Sequence, residues 1–205
     1  MSNAVGKAYA LTTISPMKTW ATYLLAIVWK LIPFFPATAQ LKKLSFIHFA
    51  RWVVIRPRDF PYLGAPQKRD RPQYSYLLFC SNFNGTWEQY IAAFSDVIPD
   101  GLNRIWRWSR NFPGAAPLYP FEDYIHNNQL RTDHYYAAYP GSSTTDVKKA
   151  IHLQGELEKF EADSKDLDPE AFAKAYHAFL ARIQNDLTRT GLPVDADGNL
   201  LNWRP

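Results

Sequence analysis

The side chains best suited to chemistry fall in three short stretches of the sequence. They are "LSFIHFARWVVI" at residues 44–55, the corner "CSNFNGTWEQY" at 80–90, and "DHYYAAYP" at 133–140. The candidate catalytic groups in them are His48, His134 and Asn84. An imidazole exchanges protons near neutral pH or ligates a metal or haem iron, whereas an amide only forms hydrogen bonds. The pattern therefore points to acid–base chemistry, haem ligation or simple ligand binding.

Other side chains in these stretches have the polar groups and aromatic faces that line ligand pockets. A semi-buried arginine pairs with a carboxylate or holds an anionic head group, and asparagine binds a carbonyl. The candidate ligand-binding residues are Arg51, Trp52, Asn82, Trp87, Tyr135 and Tyr139. Each also has a structural interpretation, as a core aromatic residue, an ion-pair partner or a turn residue.

Metal chemistry has little support in the sequence. The five histidines form no pair at the i, i+2 or i, i+4 spacing of metal sites, so we expect no metal site. Cys80 is the only cysteine, so no disulfide within the chain and no site built on several thiolates is possible. We expect Cys80 to be a small buried residue at the end of a strand.

Charge is distributed unevenly along the chain. Residues 1–72 contain eleven Lys or Arg and two acidic residues, whereas the remainder has an excess of acidic residues. A basic first third predicts an anionic partner for that part of the chain. Its basic residues are scattered among aliphatic residues without a known nucleic-acid-binding module, so we expect no nucleic acid partner.

The segment from Met17 to Ile32 predicts an amphipathic helix that lies in a membrane interface. Its uncharged run, residues 19–29, has about 11 residues, whereas a spanning helix needs about 20. The predicted membrane-contact residues are Trp20, Tyr23, Trp29, Lys18 and Lys30. Two alternatives stay open: the helix docks on protein, or the pattern Ala37-Thr38-Ala39 marks a cleaved secretory signal.

Strand and helix patterns mix along the rest of the chain. The predicted strands are residues 44–57, 73–83, 102–109 and 133–140. Apolar residues at helical spacing follow several of these strands, and Asp168 with Pro169 begins a C-terminal helix. In the helix predicted over residues 143–160, we expect Val147, Ile151 and Leu157 to face inward. The order predicts an α+β fold with a four-stranded antiparallel ferredoxin-like sheet, permuted or not, helices on one face and further terminal helices.

The corner after the second strand has a structural explanation of its own. Thr86 and Gln89 fit a capping box at the start of a helix, and Gly85 permits a backbone conformation that other residues avoid. A reaction site at this corner is the alternative interpretation.

The first predicted strand, residues 44–57, is apolar on both faces, so both faces need a cover. One predicted arrangement is a homodimer in which two helix-free sheet faces pack together. The other places the N-terminal helix over that face as a lid.

The corner also resembles a known group of proteins. "LSFIHFARWVVI", "LLFCSNFNGTWEQYIAAFSDVIPDGLNRIW" and "TDHYYAAYPG" resemble uncharacterised bacterial proteins that share an FxSN(F/Y)(D/N)GxWExY corner and are similar to dimeric α+β barrel proteins. A more distant similarity is to dye-decolourising haem peroxidases, which have an Asp-Gly-Thr corner over the haem. That similarity would imply a haem cofactor. In this sequence Asn84 replaces the acid, and an amide cannot shuttle a proton as a carboxylate does.

Together these patterns predict three parts and a location. Residues 1–43 form a basic, aromatic interfacial helix and linker, residues 44–162 an α+β domain, and residues 163–205 a C-terminal helix and tail. We expect a cytoplasmic, peripheral membrane protein that binds or transforms a hydrophobic small molecule in an α+β pocket. The alternatives are a non-enzymatic subunit that docks a partner through its N-terminus, and a haem-dependent oxidoreductase.

Overall fold

The computed structural model describes residues 3–31 and 44–186. The chain divides into two compact units. One contains the residues up to Val5 together with Tyr9–Tyr136, and the other contains Gly6–Ala8 and the residues from Ala137 onward. The elements are β1 (Ala4–Val5), β2 (Ala8–Met17), α1 (Ala21–Leu31), β3 (Ile47–Ile55), β4 (Ser75–Asn84), α2 (Trp87–Val97), α3 (Pro99–Trp106), α4 (Leu118–Asn128), β5 (Gln129–Leu130), α5 (Thr144–Ser164) and α6 (Pro169–Ile183).

The strands form one antiparallel sheet in the order β1–β2–β4–β3, and β5 also pairs with β2. Apart from the two-residue β1, the sequence of elements is strand, helix, strand, strand, helix, strand, with α1 and α2 as the two crossovers. The short helices α3 and α4 are inserted between α2 and the last strand. This arrangement confirms the predicted α+β, ferredoxin-like sheet, and it requires no permutation.

The helices α1 to α4 cover one face of this sheet. Alternate residues of β4 point into the core, among them Leu77, Phe79 and Phe83, which are nearly inaccessible to solvent. The Phe83 ring stacks on Tyr90 of α2 with ring centroids 3.7 Å apart, and Phe79 meets Trp106 of α3 edge to face. Aromatic pairs of this kind add to the stabilisation that burial of their area supplies. They fix α2 and α3 on the core face.

Several elements predicted from the sequence are wrong. Residues 102–109, predicted as a strand, belong mostly to α3, because Pro99 occupies a first-turn position and Leu102 and Trp106 bury one helical face. Residues 133–140, predicted as the fourth strand, are irregular, and β5 takes that place in the sheet. The boundary predicted at residue 43 also fails, since β2 lies within the sheet and shares its unit with β3 and β4.

β2 changes the interpretation of the N-terminus. Leu11 and Met17 are buried in the core, and β2 pairs with both β4 and β5. The proposed cleavage pattern Ala37-Thr38-Ala39 lies outside the described residues. Cleavage at that point would remove β2 from the interior of the sheet, which conflicts with the fold.

The second unit is built on two helices. α5 begins with a capping box between Ser143 and Asp146, and the Asp168 carboxylate accepts hydrogen bonds from two backbone amides at the start of α6. The Phe160 ring stacks on Phe179 with centroids 4.8 Å apart. The prediction that Val147, Ile151 and Leu157 face inward is wrong: all three are exposed, because the contact with α6 uses Phe160 instead.

The capping box at Thr86 is confirmed, and it generates a stability prediction. The Thr86 hydroxyl accepts a hydrogen bond from the Gln89 amide, and the Gln89 side chain accepts one from the Thr86 amide. Replacing Thr86 with Ala removes the first bond, so the free energy of unfolding should fall by about 1 kcal/mol. Urea denaturation measures the change, and Thr86→Ser, which keeps the hydroxyl, is the control. A Thr86→Ala variant as stable as the Thr86→Ser variant would contradict a capping role.

Candidate functional site

Residues at the junction of β2 and α1 are joined by a chain of hydroxyl groups. Ser75 in β4 donates to the Thr19 hydroxyl at 3.1 Å, and the Thr22 hydroxyl donates to the Thr19 carbonyl at 2.7 Å. The Arg56 Nε, just after β3, donates to the Thr22 hydroxyl at 3.0 Å. Thr22 and Ser75 are fully buried. These bonds fix the direction in which α1 leaves the sheet.

The inner and outer sides of α1 differ in an unusual way. Its buried residues are Ala21, Thr22 and Leu25, and Leu25 is the large apolar residue among them. The exposed side contains most of the large apolar residues. We call this side the outer α1 surface, and its exposed residues are Lys18, Trp20, Tyr23, Leu24, Ile27, Lys30 and Leu31.

Four of the five predicted membrane-contact residues lie on the outer α1 surface, namely Lys18, Trp20, Tyr23 and Lys30. Trp20 is 56% exposed and Ile27 is 54% exposed. The fifth, Trp29, is partly buried and packs against the protein core, so it contributes to the fold rather than to this surface.

Two arginines that the sequence patterns did not single out lie against the outer α1 surface. The Arg56 guanidinium carbon is 5.1 Å from the centroid of the Tyr23 ring, and that of Arg58 is 5.9 Å from it. Asp59 forms ion pairs with both arginines at 3.5 Å. Their sequence signal was only the basic, proline-rich character of the loop, because their proximity to Tyr23 depends on the sheet order.

The predicted catalytic histidine of β3 lies at an irregularity in that strand. The pairing of β3 with β4 shifts between Ile47 and Phe49, and His48 is the residue at the shift. His48 is exposed, whereas Phe46 and Trp52 pack against the core. Neighbouring atoms nevertheless remove part of its hydration, which lowers the pKa of the imidazole below 6.5, while a hydrogen bond with Asn84 opposes the shift. His48 and Asn84 are therefore in contact.

The remaining polar candidates on β4 and in the following loop are only partly brought together. The Asn82 amide donates to the Tyr135 hydroxyl at 2.5 Å. Arg51 pairs in register with Cys80 and is exposed, and Cys80 is only half-buried, not buried as expected. His134 is exposed in an irregular segment. Tyr139 is 72% exposed and belongs to the second unit, so the described contacts do not join it to this group.

The two predicted tryptophans have structural contacts. Trp52 packs against Phe79 and Trp106, with ring centroids 5.1 Å and 6.3 Å away. Trp87, in the first turn of α2, donates from its indole nitrogen to the Gln129 side chain at 2.8 Å. Both side chains therefore hold elements together.

The described residues do not fit a haem. An axial histidine acts from an enclosed, largely apolar cavity, whereas His48 and His134 are both exposed. Between the sheet and the helices, the space lined by Leu11, Phe79 and Tyr90 has a volume of about 10 Å³, which is at most enough for one water. We therefore derive no haem chemistry. Within residues 3–31 and 44–186, no group of histidine, cysteine and acidic side chains is arranged to hold a metal ion.

The helix-free sheet face has exposed apolar residues but is not covered by α1. Phe49 is 56% exposed and Val53 is 41% exposed on β3, the strand at one edge. The inner residues of α1, Ala21 and Leu25, join the core cluster on the opposite face, so the predicted N-terminal lid is wrong. The homodimer through the helix-free face stays a prediction.

The chain matches no protein-family model, no curated protein and no solved structure. The resemblance to bacterial proteins with the same corner therefore stays an expectation.

The contact between His48 and Asn84 generates a titration prediction. The pKa of His48 should lie below 6.5 and should fall further in Asn84→Ala, because the lost hydrogen bond favours the charged imidazolium. The folded state then binds fewer protons than the unfolded state just below pH 6.5, so the His48 contribution to stability is lost as the pH falls through this window. NMR titration of the histidine ring measures the pKa. Asn82→Ala is the control, since Asn82 bonds Tyr135, and an unchanged His48 pKa in Asn84→Ala would contradict the contact.

Proposed function

We propose that this protein binds peripherally to the surface of an anionic membrane through the outer α1 surface. The observation that supports this proposal is that Leu24, Ile27 and Leu31 of α1, with Trp20 just before it, are exposed, while Leu25 is the large apolar residue that α1 buries completely. A helix that served only the fold would place them against the core. Trp20, Leu24, Ile27 and Leu31 follow one another at spacings of three and four residues, so they form a continuous stripe.

Positive charge beside the stripe favours anionic lipid as the partner. Lys18 and Lys30 are exposed at the two ends of α1, and Arg56 and Arg58 lie against Tyr23 in its first turn. Asp59 is the acidic residue paired with these arginines, so a net positive charge remains. Aromatic side chains at the headgroup level with cations next to them are typical of helices that lie in an interface.

The loop after β3 extends this surface. Leu63 is 86% exposed and Tyr62 is 44% exposed, and the Arg69 guanidinium lies 5.0 Å from the Tyr62 ring centroid. Arg69 also contacts the Arg58 carbonyl at 3.5 Å, which connects this part of the loop to the arginines beside Tyr23. The loop thus repeats the combination of exposed apolar and basic side chains.

The geometry of α1 suits a helix parallel to the membrane. A helix of 11 residues is about 16 Å long, about half of the hydrocarbon thickness of a bilayer. Among the described residues, no helix has the length and apolar character needed to cross a membrane. Binding in the plane of the interface lets the whole apolar stripe enter the headgroup region while the inner side stays on the core.

The apolar contribution is tested by Ile27→Ser in the full chain. This change removes an exposed side chain that contacts lipid in the proposal, so binding to anionic vesicles should weaken roughly fivefold, from a loss of about 1 kcal/mol. Co-sedimentation with vesicles of phosphatidylserine in phosphatidylcholine measures it. Ile151→Ser changes an isoleucine of α5 that is 65% exposed, more than Ile27, and should leave binding unchanged.

Equal weakening by the two variants would contradict a specific role for α1. Absence of binding by the unchanged protein at low salt would refute membrane contact, and a docking role on another protein would replace it. Point variants are preferable to deletion of residues 1–40, because that deletion also removes β2.

The electrostatic contribution is tested by Lys30→Gln, with Lys174→Gln in α6 as the matched control. Each cation near an anionic surface contributes about 1 kcal/mol, so Lys30→Gln should weaken binding roughly fivefold at low salt. High salt should reduce this difference because it screens charge, while the apolar contribution keeps some protein on the vesicles. Binding that is insensitive to salt would contradict the charge contribution.

A further inference from the structure

A cleft with polar and aromatic walls lies beside the start of α1. It has a volume of about 720 Å³ and is bounded by Pro16 near the end of β2, by the start of β4, by the segment after α3 and by one side of α4. The polar and aromatic side chains that line it include Tyr74, Tyr76, Arg110, Asp123, Asn127 and Asn128. No sequence pattern marks this cleft, since its walls come from four separate parts of the chain.

One wall is a fixed arginine–tyrosine pair. Arg110 donates from Nη1 to the Tyr74 hydroxyl at 2.8 Å, and its guanidinium carbon is 5.0 Å from the Tyr74 ring centroid. The Arg110 amide donates to the Pro16 carbonyl at 2.8 Å, which holds the backbone as well. The wall therefore offers an aromatic face and a guanidinium whose positions are set before any ligand binds.

The opposite wall is one side of α4. Asp123 and Asn127 are four residues apart, so they lie one turn apart on the same side of the helix, and both are exposed. Within the described part of the chain, neither of these two side chains has a hydrogen bond or ion pair. The Asn128 side-chain amide nitrogen donates to the Tyr124 carbonyl at 2.8 Å, which orients the side-chain oxygen of Asn128.

Tyr124 anchors this wall. Its side chain is 7% exposed, and its hydroxyl faces the buried Ser15 and Ser109. Burial raises the pKa of Tyr124, and the two serine contacts oppose the shift. The phenol is therefore neutral at physiological pH, and the ring packs α4 against Phe112 in the segment after α3, with centroids 5.3 Å apart.

These groups match the chemistry of a ring with several hydroxyl groups. Side-chain amides both donate to and accept from neighbouring hydroxyls, a carboxylate accepts from them, and arginine donates in a fixed fork. The negative face of a tyrosine ring attracts the slightly positive C–H side of such a ring. Arg110 and Asp123 have opposite charges, so the cleft does not select an anion by net charge.

The position of the cleft indicates where such a ring would come from. Tyr74 and Tyr76 flank Ser75 at the end of the sheet where the Ser75 hydroxyl bonds Thr19 just before α1, and their side chains point to the face opposite Ser75. Pro16 is two residues before Lys18. We propose that the cleft binds the polyhydroxylated head group of a membrane lipid. This inference rests on the proposed function, because the lipid must be reached from the membrane.

The test compares two lipids of equal net charge that differ in their head groups. Vesicles contain the same fraction of phosphatidylinositol, whose head group is a ring with five free hydroxyls, or of phosphatidylserine, which has no such ring. The full chain should bind phosphatidylinositol vesicles about tenfold more tightly, as two or three net hydrogen bonds would give. Asp123→Ala and Asn127→Ala should remove this excess and leave binding to phosphatidylserine unchanged. Asp163→Ala, an exposed aspartate of α5, is the matched control.

The outcomes separate the two proposals. Equal binding to both lipids would overturn the head-group site and leave the membrane proposal intact. Loss of binding to both lipids in Asp123→Ala would also overturn it, since the effect would then not depend on the head group. If neither vesicle binds the unchanged protein, the membrane proposal fails. The lipid source of the ring is then overturned as well, and titration of free myo-inositol by NMR shows whether the cleft binds a soluble polyol instead.

Discussion

The junction between β2 and α1 is the constraint on which the functional surfaces depend. Met17 is fully buried at the end of β2, and the Ser75, Thr19, Thr22 and Arg56 side chains join β4, the junction, α1 and the end of β3. Because these bonds are buried or partly buried, breaking one would leave a polar group without its partner. They fix α1 on the core face, which decides which of its residues face outward, and they hold Tyr74 and Tyr76 near Pro16.

Sequence patterns predicted the parts of the fold that have local signals. In the two long strands β3 and β4, apolar residues alternate with polar ones or follow one another directly. Thr86 and Gln89 form a complete capping box. These signals are local, so the sequence predicts both strands and the start of α2. β2 was missed because two of its core positions are Thr13 and Ser15. These buried hydroxyl residues interrupt the apolar alternation that marks a half-buried strand.

The candidate sites also differ in whether a local sequence signal predicts them. An apolar and basic helix is recognisable from sequence alone, and the structure places Trp20, Tyr23 and Ile27 on its exposed side. The sequence could not show that Arg56 lies over Tyr23, since the two residues meet only because α1 crosses from β2 to β3. The cleft beside Tyr74 required even more of the tertiary structure. Arg110 follows α3 and Asp123 lies in α4, the two helices inserted into the sheet order, and nothing local relates them to Tyr74.

The two sides of α1 also show that folding alone does not explain its composition. An apolar side chain stabilises the folded state in proportion to the area it removes from water, so a half-exposed isoleucine contributes much less than a buried one. Here Ala21 and Thr22 are fully buried, whereas Trp20 and Ile27 are each more than half exposed. The small inner residues suit the packing of α1 on the core, but no packing requirement of the described chain explains large apolar residues outside. The proposed anionic partner would cover them, and the arginines and lysines beside them are the reason for that proposal.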